Sequence, residues 1–185
     1  MYEIVYGPMA QPWQARLSKE TREAFPRLHA LVREDPRAAV AELRAWIARE
    51  PLPMFFNWLG AAYSVLGDTD GMRDTVLENY RRNPQYLFAR ANYAELCLCD
   101  GDIAGAREAL GAALDIRPFL GGRRRVHVSE VAAYFYAVAL YHIQAGDLAA
   151  AEKVYEMLDE VCPDDVSTEN LRRRLHPRLR DLFSR

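Results

Sequence analysis

The sequence predicts an all-α protein, an α-solenoid of antiparallel helix hairpins closed by a C-terminal capping helix. Three observations predict it. Pro51, Pro84 and Pro118 fall 33 and 34 residues apart, which marks out a repeating unit. Within the units, apolar residues recur at the spacing of one helix face, as in Phe56, Leu59 and Tyr63. A Gly-Asp pair divides three units: Gly67-Asp68, Gly101-Asp102 and Gly146-Asp147. In each pair the glycine ends one helix and the aspartate caps the next, so the carboxylates read as caps and not as acid–base groups. A unit of this size cannot bury a core alone, so neighbours must stack.

At 185 residues, half of them hydrophobic, the natural count is one domain. The net charge of −2 argues against wholesale nucleic-acid or membrane binding. Cys97, Cys99 and Cys162 form no C-x-x-C pair. They read as small core thiols in a reducing compartment, so a cytoplasmic location is expected. Residues 1–13 show no basic stretch followed by an apolar one, so no secretory leader is expected. The longest apolar run, 131–143, is too short to span a bilayer, so no membrane insertion is expected.

The elements follow in order. Residues 1–12 form an arm in which Tyr2, Ile4 and Tyr6 alternate with Glu3 and Val5, a strand-like pattern. The arm is expected to pack on the first helices or to lie in the protein's own groove. Residues 13–34 read as helical, with a kink or fresh start at Pro26, which has no N–H to donate. Asp35-Pro36 starts a helix with Asp as cap and Pro at the first position. Its stripe is Ala39, Val40, Leu43, Trp46 and Ile47, and Pro51 ends it. Residues 19–52 thus form a degenerate first unit and 53–86 a full second one. In the second, Gly60 beside the Phe56 face leaves room for a neighbouring helix. The third unit, 87–120, carries Tyr93, Ala94, Cys97, Ala106, Leu110 and Ala113, with Arg90 at a normally apolar position that is expected to face a ligand or solvent.

The period then breaks. Pro118 and Pro163 lie 45 residues apart, and the excess is an insertion at 121–131. Insertions in repeat arrays go to loops on one face. Alternatively, part of it lengthens the next helix, with Ser129 as N-cap. A fourth unit, 132–163, holds Phe135, Val138, Ala139, His142, Ala151, Tyr155 and Leu158. Residues 131–141 are apolar around the whole helix, which requires cover on both sides. The 164–185 segment is an amphipathic cap with Leu171, Leu175, Leu179, Leu182 and Phe183 on one face. Arg172, Arg173, Arg174, Arg178 and Arg180 lie on the other, and Pro177 should bend it.

The motif Phe56-x2-Leu59-Gly60-x2-Tyr63, then Gly67-Asp68, then Pro84 resembles the tetratricopeptide repeat, W-x2-L-G-x2-Y, A-x3-F, P over 34 residues. The departures are Phe56 for Trp, Met72 and Val76 for the second-helix Ala and Phe, and Asn79 for a small residue. The resemblance covers 19–163 and implies a right-handed superhelix, TPR-like, whose first helices line a peptide-binding groove. The second, fifth, ninth and twelfth positions of those helices would face inward. Here these are Met54, Asn57, Ala61 and Ser64; Phe88, Ala91, Glu95 and Leu98; Ala133, Tyr136, Leu140 and Ile143. Asn92 matches an asparagine the family sets on a peptide backbone. Asn57 and Ala61 stand where the carboxylate-clamp version needs Lys and Asn, so that version is not implied.

No catalytic, metal or cofactor constellation stands out. His29, His127, His142 and His176 include no i, i+4 pair, and there is no G-x-S-x-G, P-loop or dinucleotide fingerprint. His142 falls at a core position. Arg123, Arg124 and Arg125 form a basic run on the inserted loop, either solvated or a forked clamp for carboxylate or phosphate. The expected function is a non-enzymatic interaction module or adaptor without a cofactor, holding a protein or peptide partner or pairing as a homodimer. The alternative is a regulatory protein whose loop and C-terminal arginines contact nucleic acid or another phosphate-bearing partner. The absence of aromatics interleaved with these arginines weakens a single-strand nucleic-acid reading.

Overall fold

A computed structural model describes residues 2–9 and 17–177. Among them the fold is all-helical apart from one pair of short strands. The order is β1 (Glu3–Val5), α1 (Lys19–Glu34), α2 (Pro36–Arg49), α3 (Pro53–Leu66), α4 (Thr69–Arg82) and α5 (Leu87–Cys99). It continues with α6 (Ile103–Leu110), a 3-10 turn (Arg117–Phe119), β2 (Arg125–His127), α7 (Val128–Gln144), α8 (Leu148–Val161) and α9 (Val166–Leu175). No described helix is long and apolar enough to cross a membrane.

Where length predicts one domain, the chain divides into two compact units. One is Pro8–Ala89; the other joins Met1–Gly7 to Arg90–Arg185, so the division falls inside α5. In the first unit, α1 packs on α2 and α3, α2 on α3, and α3 on α4. Its core is Ala24, Leu28, Val32, Ala39, Leu43, Trp46, Phe55, Leu59 and Ala62. Phe25 meets both Phe55 and Trp58 edge-on at 5.5 and 5.8 Å. α1 runs unbroken through Pro26, contrary to the expected kink. Its Thr21, Ala24, Leu28 and Val32 are buried, whereas Pro26 is exposed, so the interrupted backbone bond faces water. The cap Asp35 and first-turn Pro36 of α2 stand as read.

The Gly-Asp turns are alike in all three places. Gly67, Gly101 and Gly146 have φ of 71°, 76° and 79°, the left-handed conformation that glycine adopts without a Cβ clash. The N–H groups of Asp68, Asp102 and Asp147 donate to the carbonyls of Tyr63, Cys97 and His142 at 3.0, 2.8 and 2.9 Å. Their carboxylates then accept from the N–H of Gly71, Gly105 and Ala150 at 2.9, 2.9 and 3.0 Å. Tyr63, Cys97 and His142 therefore hold one structural station.

In the second unit α7 is central, touching α6, α8, α9, β1 and β2. These cover much of its apolar surface and leave Tyr136, Leu140 and Ile143 half-buried. The core includes Ala132, Ala139, Leu158, Cys162 and Leu171. α6 stops at Leu110, well short of the helix expected through Ala113 to Pro118. Gly111 reverses the chain at φ 77°, and Pro118 lies in the 3-10 turn. The inserted segment divides into a turn, β2 and the start of a longer α7. The α7 cap is His127, not Ser129: its Nδ1 accepts the Ser129 N–H at 3.2 Å. β1 pairs with β2 in parallel, with Glu3, Ile4 and Val5 opposite Arg125, Val126 and His127. α9 ends at Leu175, two residues before Pro177, whose ring disfavours helix at His176. Trp13, Arg178, Leu179, Arg180, Leu182 and Phe183 lie outside the described residues.

Candidate functional site

The first helices α3, α5 and α7 carry the residues expected to meet a peptide. In the Pro8–Ala89 unit, Ala61 and Ser64 are exposed, one turn apart on α3. Met54 is half-buried against the core, and Asn57 is half-buried and engaged by a neighbouring group. Phe88 is half-buried, its ring 5.5 Å from that of Tyr86. In the other unit, Asn92, Glu95, Ala133, Tyr136, Leu140 and Ile143 are half-buried. Ala91 and Leu98 are buried, so Ala91, expected to line the groove, has no surface to offer a ligand. Arg90 corrects a second expectation. It is buried, donates to the Ala109 carbonyl, and lays its guanidinium 3.6 Å from the Phe119 ring centroid. Tyr134 donates its hydroxyl to Leu110 O, so α5 and α7 satisfy the last carbonyls of the short α6.

The polar centre of the second unit joins Glu95 of α5, Tyr136 of α7 and Arg174 of α9. Burial pushes the Glu95 carboxyl up to about 7, opposed by the positive charge of Arg174. Burial also raises the Tyr136 phenol, as does the Glu95 charge, while the charge and hydrogen bond of Arg174 pull it down. An acid, a phenol and a guanidinium thus share one partly desolvated place. The sequence expects Glu95 and Tyr136 at inward helix positions, whereas Arg174 reads on its own helix only as part of a solvated basic face.

The loop arginines are divided. Arg123 is spent inside the molecule, donating to both Glu130 oxygens at 3.1 and 2.9 Å, and the Glu130 side chain is only 5% exposed. It is therefore not a free clamp for a ligand. Arg125 lies 3.6 Å from Glu3 across the strand pair. Arg124 is exposed, and its carbonyl accepts the Glu3 N–H at 2.8 Å.

His142 is half-buried, with Nδ1 4.0 Å from Asp147; burial holds its pKa below the usual value against the pull of that carboxylate. His176 contacts Glu152 at 3.1 Å. Cys97 and Cys162 are buried as expected, but Cys99 is exposed. No group of His, Cys, Asp or Glu among the described residues is placed to hold a metal ion. Comparison of the chain with family models, with curated proteins and with solved structures finds no match.

Proposed function

We propose that this chain is a non-enzymatic protein–protein interaction module of the tetratricopeptide class, an α-solenoid that holds a peptide or helix along its first helices. The observation that carries the reading is the threefold turn: three left-handed glycines, three aspartate caps and three equivalent carbonyls at Tyr63, Cys97 and His142. Such recurrence is what a repeated helix hairpin produces. The candidate residues are mixed on each unit. On Pro8–Ala89, Ala61 and Ser64 are small and exposed and Phe88 is half-buried; on the other unit, Tyr136 and Leu140 are apolar and half-buried, and Asn92 and Glu95 are polar. This suits an amphipathic helix or an extended apolar peptide more than an acidic tail.

The test is to select peptides against the full chain and measure their binding by fluorescence anisotropy. Tyr136 packs on the α7–α9 core, so Tyr136→Phe, which removes only the hydroxyl, is the cleaner variant. Tyr136→Phe and Asn92→Ala should each weaken binding about tenfold, with little dependence on salt. The phosphate-contact reading predicts instead that Arg124→Ser with Arg125→Ser abolishes binding and that affinity falls steeply with salt.

A further inference from the structure

The N-terminal strand β1 forms a two-stranded parallel sheet with β2. Its three residues pair with β2 across some 120 positions of sequence, and a strand this short has little stability of its own. The edge that receives it is held from the other side. Arg123 grips Glu130 in a forked pair and the His127 N–H donates to Glu130 at 3.2 Å. These contacts involve no residue of the arm, so β2 is tied to α7 independently of it. The arm adds the parallel ladder and one ionic contact. Glu3 donates its N–H to Arg124 O at 2.8 Å, and its carboxylate lies 3.6 Å from Arg125. Ile4 and Val5 are half-buried, and β1 touches α7. Tyr2 is half-buried within the fields of Asp115 and Arg117, a segment that Tyr134 anchors through its 3.3 Å bond to Asp115 O.

We propose that the β2 edge, with Asp115 and Arg117 beside it, is a docking site for an extended peptide and that Tyr2–Val5 fills it in cis. The partner it fits is a segment of another protein carrying an aromatic residue, an acidic residue and then two branched aliphatic residues. Backbone pairing would supply affinity, and Arg125 would select the acid at the second position. This inference is independent of the groove reading, which concerns other faces of the helices.

The probe is a fluorescein-labelled peptide of sequence Tyr-Glu-Ile-Val-Tyr-Gly, titrated into the full chain. Val5→Pro removes an N–H that the alternation of the parallel ladder directs at β2. The peptide should bind Val5→Pro at least about tenfold more tightly than wild type, whose tethered arm competes at high effective concentration. Adding Arg125→Glu should abolish the signal, and a peptide with Arg in place of its Glu should restore it. No saturable binding to a Val5→Pro chain of wild-type helicity would overturn the proposal, as would binding indifferent to Arg125→Glu. Should Val5→Pro fail to fold, Glu3→Pro removes the N–H that donates to Arg124 O at 2.8 Å, and the absence of saturable binding to that chain overturns the proposal equally. If wild type is instead a dimer by light scattering and Val5→Pro a monomer, the edge serves a second copy and the heterologous partner is excluded.

Discussion

Arg90 shows how a single residue can read one way in sequence and act another way in space. Its position in the repeat calls for an apolar side chain, and a charged one there suggests exposure. Its partners are Ala109 and Phe119, 19 and 29 residues away, which local pattern cannot reveal. The aspartate caps were legible because each one's partner lies three residues on. Replacing Arg90 with Leu leaves the Ala109 carbonyl without this donor and removes the stacked cation, so we expect a loss of about 2–4 kcal/mol by urea denaturation. Glu95 makes a pH prediction. Its folded pKa is raised, so the folded chain binds more protons than the unfolded one between about 4.3 and the folded value. Stability should therefore fall as pH rises from about 5 to about 7, by up to a few kcal/mol. Glu95→Gln should flatten that slope and be more stable than wild type above pH 7. An unchanged slope in the variant would contradict the assignment.

At the scale of the element, helix existence was legible and helix length was not. Pro26 reads as a break because a mid-helix proline costs roughly 3 kcal/mol. α1 absorbs that cost because four buried residues tie it to the core, while Pro26 faces solvent. Pro26→Ala should then stabilise the protein by about 1–3 kcal/mol in thermal or urea unfolding. Gly60 was read as a close-approach glycine. A Cβ there would meet Thr75 Cγ2 at 3.8 Å, ordinary contact, so Gly60→Ala should add about 0.5–1 kcal/mol instead of clashing. The early end of α6 escaped the sequence reading because Arg90, Tyr134 and Gly111 set it, two of them on other helices. The 33- and 34-residue proline beat runs past that point only because Pro118 sits in a later turn. The alternation in the arm did mark a strand, but its pairing with β2 lies beyond any local signal.

For the whole molecule, the all-helical class and the succession of hairpin turns were legible, since both rest on short-range periodicity and capping. The division into two units and the place of the arm were not, because both rest on long-range contacts. The sequence proposes a surface only by position along each first helix. What the positions omit is burial, which removes Ala91, and the approach of Arg174 from α9. A peptide held by the proposed groove must touch the first helices. Hydroxyl-radical footprinting of the full chain, with and without a selected peptide, reads this side chain by side chain. Protection should appear at Met54, Phe88, Tyr136 and Leu140 and leave exposed Leu77 and Leu148 unchanged. Protection confined to Leu77, Leu148 or the 121–127 segment would contradict it.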